Sequence, residues 1–297
     1  MKNLRKVALL AVLGLFVTQL SYAQRDRDRD RDSDYHLDET YKMDATGTLH
    51  LSSSDADVRI IGSSRSDVHV KIDRTEEVRG ISSRPRDFEV EVENRGGDLY
   101  VTERRGRGTR FTMGYSRLDY DILIELPQGA SLRVKGDDDD YYVKNVNGAI
   151  NMETDDGDIE LLDCNGEDFE FNLEDGDLRM DGGRGKIYVR IDDGDVDIQD
   201  GKFDNMEMRL EDGSAIIETS IADGGVYDIR GDDARFDFVV LAGGGDFLVT
   251  KDDGSIRASS EFETISENDY RSELKLPGGS ADVDIRTNDG RVRLSKR

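Results

Sequence analysis

The chain has 297 residues, of which 35% are hydrophobic and 36% are charged, so it is poorer in apolar residues and richer in charge than an ordinary globular domain. Its single cysteine excludes an intramolecular disulfide and a cysteine-based zinc finger. Residues 1–136 carry no net charge, and residues 137–297 carry the whole formal charge of −25, which excludes nucleic acid as a partner and favours cations and basic surfaces.

The N-terminus has the pattern of an export signal. Three basic residues precede an uncharged run at 7–17, which is shorter than the ~20 residues that a membrane span needs. Ser21 and Ala23 place small residues at a cleavage position. We predict a signal peptide over 1–23, with an uncleaved anchor as the alternative, and no membrane span after cleavage. The mature protein is then periplasmic, displayed on the cell surface or secreted.

A charged segment follows at 24–36. Arginine and aspartate alternate four times between Arg25 and Asp32, and no apolar residue is available for burial. Such a segment cannot offset its ordering entropy, so we predict a disordered tether.

Residues 37–136 have short alternating apolar and polar runs, such as 57–60 and 121–124, at irregular spacing. Alternation of period two predicts β-strands. We interpret this part as irregular β coils with longer loops at about 74–87 and 103–117.

The second of these loops contains the basic cluster of the sequence, namely Arg104, Arg105, Arg107 and Arg110. One interpretation is a partner-binding patch for an anionic glycan or lipid headgroup. The other is a mobile loop that balances the acidic half.

From residue 137 to 297 the chain is periodic. An Asp-Gly pair recurs, with successive aspartates at Asp156, Asp175, Asp193, Asp212, Asp253 and Asp289. The first intervals are 19, 18 and 19 residues, and the longer gaps leave room for further units. A repeat of this length predicts a solenoid.

Each unit holds two alternating runs separated by turns, with apolar residues at equivalent positions, such as Ile159, Leu178 and Val196. The predicted fold is all-β: an elongated parallel β-solenoid, similar to a β-helix, with coils of about 18–20 residues. We expect each coil to stack on its predecessor, so that equivalent apolar side chains form columns and Arg291–Leu294 becomes the open terminal edge.

Three elements carry a family resemblance: Asp-Val-Arg-Ile-Ile-Gly at 57–62, Ile-Glu-Leu-Pro-Gln-Gly-Ala-Ser-Leu-Arg-Val at 124–134, and the Asp-Gly-Asp-Ile units after them. Over about residues 40–297 the chain resembles a bacterial β-strand-repeat family of unknown function that is named for adhesion. The resemblance implies a β-solenoid on an exported or envelope protein, and it supplies no catalytic residues.

The acidic turns suggest metal chemistry. In a solenoid, Asp156, Asp175, Asp193 and Asp212 stack at one corner, and calcium accepts many oxygen ligands in flexible geometry. The alternative is that these aspartates only form turns and keep the protein soluble. The acidic run at 137–140 is a second candidate, although such runs are usually solvated loops.

The sequence lacks the His-Glu-x-x-His, Gly-x-Ser-x-Gly and phosphate-loop patterns of catalytic sites. We therefore predict an exported, non-catalytic interaction or structural module of the envelope, similar to an adhesin, with no cofactor; Ca²⁺ belongs to the first alternative below. Its partner would be a glycan or protein of the envelope or surface. The alternatives are a calcium-binding module similar to a β-roll and a polysaccharide-active β-helix enzyme.

Overall fold

The computed structural model describes residues 34–82, 88–105 and 112–297, and for 78–82, 105 and 112–116 it describes only the backbone. The predicted signal peptide and nearly all of the predicted tether lie outside these ranges. Every regular element within them is a β-strand, so the described chain has no helix long and apolar enough to cross a membrane.

The strands are β1 (Tyr35–Tyr41), β2 (Thr48–Ser52), β3 (Asp57–Ser63), β4 (Val68–Ser82), β5 (Phe88–Arg95), β6 (Asp98–Arg105), β7 (Thr112–Pro127), β8 (Ser131–Lys135), β9 (Asp140–Lys144), β10 (Ile150–Asp156), β11 (Ile159–Leu162), β12 (Asp168–Asp175), β13 (Leu178–Asp181), β14 (Arg184–Ser220), β15 (Val226–Ala242), β16 (Gly245–Ala258), β17 (Glu263–Glu267), β18 (Arg271–Leu276) and β19 (Ala281–Lys296).

The central strands pair in parallel with the strand one coil away. Ile150 lies beside Phe169, and Phe169 lies beside Ile187, which gives steps of 19 and 18 residues. Within β12, Phe169 and Phe171 are buried and Glu170 is exposed, as alternation requires. The prediction of parallel coils of this length is confirmed.

Each coil has two sides. Side A is formed by β2, β6, β8, β10, β12 and the first parts of the longer strands, and side B by β3, β7, β9, β11, β13 and the later parts. β14 spans two coils. The rings of Tyr227 on side A and Phe238 on side B lie 6.3 Å apart, so both sides face one core. Ten coils at ~4.8 Å per step span about 43 Å.

Glycine is required where side A turns into side B. Gly176 has a φ of 139°, and a Cβ there would lie 2.2 Å from the carbonyl oxygen of Gly157 in the preceding coil. Because an L-residue suffers both the strain and the clash, the Asp-Gly pair recurs at this corner.

The order of the coils differs from the chain order at both ends. β19 lies between β15 and β16, and it pairs in parallel with both. The coil of β2 and β3 lies between that of β6 and β7 and that of β8 and β9. The prediction of strictly sequential stacking was therefore wrong, and Arg291–Leu294 is not a terminal edge.

Antiparallel hairpins cover the two ends. β17 and β18 form a hairpin on β16, and Ile265 on β17 is 64% exposed. Phe262 is buried with its ring 5.1 Å from that of Phe247, and it closes this end of the core. At the other end β4 pairs with β7 and β5 with β6. Residues 74–82, 103–105 and 112–117, expected in two loops, are therefore strand.

Candidate functional site

The corner between the two sides carries a column of carboxylates, one per coil. Register and corner contacts place them in this stacking order: Asp138, Asp156, Asp175, Asp193, Asp212, Asp233, Asp289 and Asp253. The four aspartates singled out from the sequence are thus brought together as neighbours. Asp233 fills the gap that the spacing left after Asp212.

The residue before each of these aspartates forms a second column, which is acidic in seven of eight coils: Asp137, Asp155, Glu174, Asp192, Glu211, Asp232, Asn288 and Asp252. We call the two columns together the acidic corner. The carboxyl of Asp156 interacts with those of its neighbours in the column. A hydrogen bond with the carboxyl of Asp138 and the negative charges of Asp138 and Asp175 raise its pKa. The acidic corner is therefore a strip rich in negative charge, which is interrupted at Asn288 and partly neutralised where Arg190 pairs with Asp192 and Glu211.

The aspartate after the corner glycine has a structural role. Asp140 accepts a hydrogen bond from the backbone N–H of Asp158 at 2.9 Å, and Asp158 accepts one from Asp177 at 2.9 Å. The series continues through Asp195, which accepts from the backbone of Ser214. These carboxylates tie each coil to the next, a role that sequence reasoning missed although the recurring Asp-Gly-Asp triplet signalled it.

The run at 137–140 divides into different environments. Asp138 belongs to the acidic corner, and Asp137 accepts a hydrogen bond from the hydroxyl of Ser54 at 3.1 Å. Asp139 is fully buried and accepts hydrogen bonds from Ser53, from the hydroxyl of Tyr141 and from the backbone of Ala56. Burial raises the pKa of this carboxyl. The expectation of a solvated loop is therefore wrong for Asp139.

No group of three or more His, Cys, Asp or Glu side chains in the described ranges has an arrangement that could hold a metal ion. The predicted calcium ladder on Asp156, Asp175, Asp193 and Asp212 stays a prediction. The lone thiol, Cys164, is buried, and burial raises its pKa to about 11, as expected for a core residue and not a nucleophile.

An open depression of about 480 Å³ lies at the N-terminal end of the acidic corner. Its lining is Asp55, Ala56, Asp57, Leu118, Asp119, Tyr120, Asp121, Asp138, Asp140, Asp156 and Gly157. Seven of these eleven residues are aspartates, so the depression extends the negative surface toward β3 and β7.

Beside the acidic corner, side A has a row of arginines that sequence reasoning missed. Arg190, Arg209, Arg230 and Arg286 occupy equivalent positions on adjacent strands. Each pairs with a carboxylate on its own strand; Arg209, for example, lies 2.7 Å from Glu207. The sequence feature that could have revealed this row is an arginine three residues before the corner aspartate in four coils.

The predicted basic cluster is only partly described. Arg104 on β6 donates to Glu91 on β5 at 2.8 Å, and its side chain is exposed. The side chain of Arg105 is not described, and Arg107 and Arg110 lie outside the described residues. Their role as a partner-binding patch stays a prediction.

A family model for Toastrack DUF4097 matches residues 47–295. The chain belongs to the Toastrack family. This confirms the resemblance found in the sequence, and the Toastrack match covers both the irregular coils and the regular repeats. No curated protein matches the chain.

Solved structures that match this Toastrack chain share little sequence with it. A proposed adhesin from Bacteroides fragilis is 10% identical with a TM-score of 0.48, covering 88% of this chain and 97% of that chain. A proposed cell adhesion protein from Clostridium sporogenes is 13% identical with a TM-score of 0.29, covering 89% and 100%. A proposed lipid-binding protein from Parabacteroides distasonis is 12% identical with a TM-score of 0.29, covering 88% and 96%.

Proposed function

We propose that this protein is an exported, non-catalytic interaction module of the bacterial envelope, similar to an adhesin, that binds a partner with a basic surface along its acidic corner. The observation that supports the proposal is the register of the acidic corner, in which both columns repeat once per coil over eight coils. Export rests on the signal pattern at 1–23 and the tether that follows it.

Binding of this kind is a sum of small terms. A single exposed ion pair contributes about 0–1 kcal/mol. The acidic corner offers many carboxylates at ~4.8 Å steps on a hydrogen-bonded scaffold. Their combined field accelerates association with a cationic partner and weakens as salt is added.

A cationic probe tests the proposal. Fluorescence anisotropy of a labelled ten-residue oligolysine peptide is measured against residues 24–297 at several salt concentrations. We expect binding that weakens with salt, while a ten-residue oligoglutamate peptide does not bind. The triple variant Asp175→Asn, Asp193→Asn and Asp212→Asn should bind oligolysine about tenfold more weakly, a loss of about 1.4 kcal/mol.

A matched variant separates the acidic corner from net charge. Asp168→Asn, Asp181→Asn and Asp197→Asn remove the same charge from outward positions away from the acidic corner. We expect this variant to keep most of the binding. An equal loss in both triple variants would show that only the overall charge matters and would contradict the proposal.

The calcium alternative predicts a different result. A bound cation would reduce the repulsion among the carboxylates of Asp138, Asp156 and Asp175. Melting temperatures are compared in chelator and in millimolar calcium. We expect no change, and a rise that the triple variant of the acidic corner abolishes would favour the calcium-binding module.

The enzyme alternative is tested with glycans. A glycan array identifies any bound sugar, and incubation of that sugar with the purified protein shows whether it is cleaved. Binding without cleavage fits the interaction module, and turnover would favour the polysaccharide-active enzyme.

A further inference from the structure

The outer surface of side B is divided by charge along the stack. Its earlier coils present mostly carboxylates, including Asp158 and Glu160 on one coil and Asp177 on the next. Arg179 lies among them, 2.6 Å from Asp177 and 3.6 Å from Asp158, whereas the side chain of Glu160 has no ion pair among the described residues. The last three coils of side B present four exposed arginines at two positions of the coil. Arg235 on β15 lies beside Arg291 on β19, and Arg293 on β19 lies beside Arg257 on β16.

These arginines differ from the paired arginines of side A. Among the residues that the structure describes, Arg235, Arg257 and Arg291 have no ion pair or hydrogen bond from their side chains. Arg293 forms an ion pair with Asp237 on the neighbouring strand at 3.6 Å. The C-terminal part of side B therefore holds guanidinium groups without partners on a strongly acidic protein.

We propose that side B binds side B of a second copy of this chain, with the two stacks antiparallel. The two-fold axis would run along the strand direction, between the two segments of β14 on side B, residues 196–199 and 213–220. Eight coils of side B take part, from β9 at one end to β16 at the other.

The register fixes which side chains face each other. The axis exchanges the coil of β11 with that of β19, which sets Arg291 opposite Asp158 of the second copy and Arg293 opposite Glu160. It exchanges β13 with β15, which sets Arg235 opposite Asp177.

Two further positions fit this arrangement. Asp237 faces Arg179 of the second copy, and Arg257 faces the half-buried ring of Tyr142, where a guanidinium can stack on an aromatic face. Ile216, an exposed apolar residue, lies beside the axis and faces Asp197 of the second copy, a contact that adds no charge pair. Opposite charges meet at these pairs only when the stacks are antiparallel, because parallel stacks set each coil against the same coil of the second copy and bring the arginines of β19 together.

The area implies a weak dimer. Eight coils of ~4.8 Å and strands of about four residues give about 500 Å² on each copy, near 1,000 Å² in total. The net charge of −25 opposes association at long range, yet at ~0.15 M salt charges more than about 8 Å apart are screened. We expect dimers to be most abundant at intermediate salt and to dissociate near 1 M. This proposal is independent of binding at the acidic corner.

A charge-swap experiment tests the contact between Glu160 and Arg293. Sedimentation velocity is run on residues 24–297 at about 100 μM in 0.15 M salt. We expect dimers from the unsubstituted chain and at least tenfold weaker association from Glu160→Arg or Arg293→Glu alone. An equimolar mixture of the two variants should regain dimers, because each chain then presents the charge that the other needs.

Controls keep the result interpretable. Glu170→Arg makes the same charge change as Glu160→Arg on side A and should leave association unchanged, and melting temperatures confirm that each variant folds. A monomeric unsubstituted chain, single variants that still dimerise, or a mixture that stays monomeric would each overturn the proposal.

Discussion

A single aspartate shows how one residue can replace the corner glycine. Asp139 occupies the glycine position of its coil, since a Cβ on Gly157 would lie 2.1 Å from its carbonyl oxygen. Its side chain turns inward and accepts hydrogen bonds from the hydroxyl of Ser53 and the backbone N–H of Ala56. These two residues belong to the coil of β2 and β3, the next coil in the direction away from Gly157. A buried carboxylate thus joins the N-terminal coil to the repeats, at the point where that coil is inserted.

The ionisation of Asp139 should affect stability. Because burial raises its folded pKa above the unfolded value, its contribution is greatest at low pH and decreases as pH rises from the unfolded pKa through the folded one. Asp139→Asn leaves the backbone N–H of Asp137 without its acceptor, which costs about 1–3 kcal/mol. We expect Asp139→Asn to lower the free energy of unfolding by this amount near pH 4. The loss should be smaller at pH 7, because the contribution of Asp139 to the unsubstituted protein has then decreased.

Urea unfolding at pH 4, 5, 6 and 7 measures the free energy of unfolding of the unsubstituted protein and of Asp139→Asn. The contributions of the other carboxyls cancel in the difference between these two values, because both proteins carry them. Asp181→Asn is the matched control, because it removes a carboxylate from an exposed position outside the acidic corner. A deficit for Asp139→Asn that is constant with pH would contradict the argument.

At the scale of the strand, alternation decides which substitutions the coil tolerates. Ile198 is fully buried beside Met180, whereas Asp197, its neighbour on β14, points outward to the amide of Gln199. Ile198→Asp should destabilise by several kcal/mol, because it places an unpaired charge in a narrow core. Asp197→Asn should change stability by less than about 0.5 kcal/mol. Thermal unfolding followed by circular dichroism compares the two, and similar effects would contradict the assigned facing.

The strand pattern explains what the sequence could predict. Phe169 and Ile187 were assignable to one column because their spacing and alternation are local properties of the chain. The arginine row on side A was also encoded, since each arginine precedes its corner aspartate by a fixed interval. By contrast, the inward turn of Asp139 depends on Ser53 and Tyr141, which no local pattern connects to it.

The order of coils in the whole molecule was not predictable for a related reason. Coils of similar length with apolar columns can stack on one another in many orders, because each presents the same edges. The order observed requires β17 and β18 to form an antiparallel hairpin, after which the chain returns to the gap between β15 and β16. Two units of 18 residues after Asp253 fit the spacing equally well, so periodicity alone could not distinguish a hairpin from a further coil.

This order gives the C-terminal coil a stabilising role that an end coil would not have. If coils stacked sequentially, deletion of residues 278–297 would remove one end and leave residues 245–276 protected by β15. In the structure, β16 pairs with β19 and with β18 but not with β15, so deletion removes the parallel neighbour of β16 and exposes the edges of β15 and β16.

We expect amide hydrogens of residues 245–276 to lose protection by orders of magnitude in the truncated chain, while those of β10 and β12 keep theirs, because local stability follows the strands that each segment pairs with. Hydrogen exchange with mass spectrometry on the truncated and complete chains measures this, and a shorter deletion of Ser295–Arg297 is the control that leaves most of β19 in place. Unchanged protection of residues 245–276 in the truncated chain would mean that β16 pairs directly with β15 and that the inserted coil does not hold the C-terminal region together.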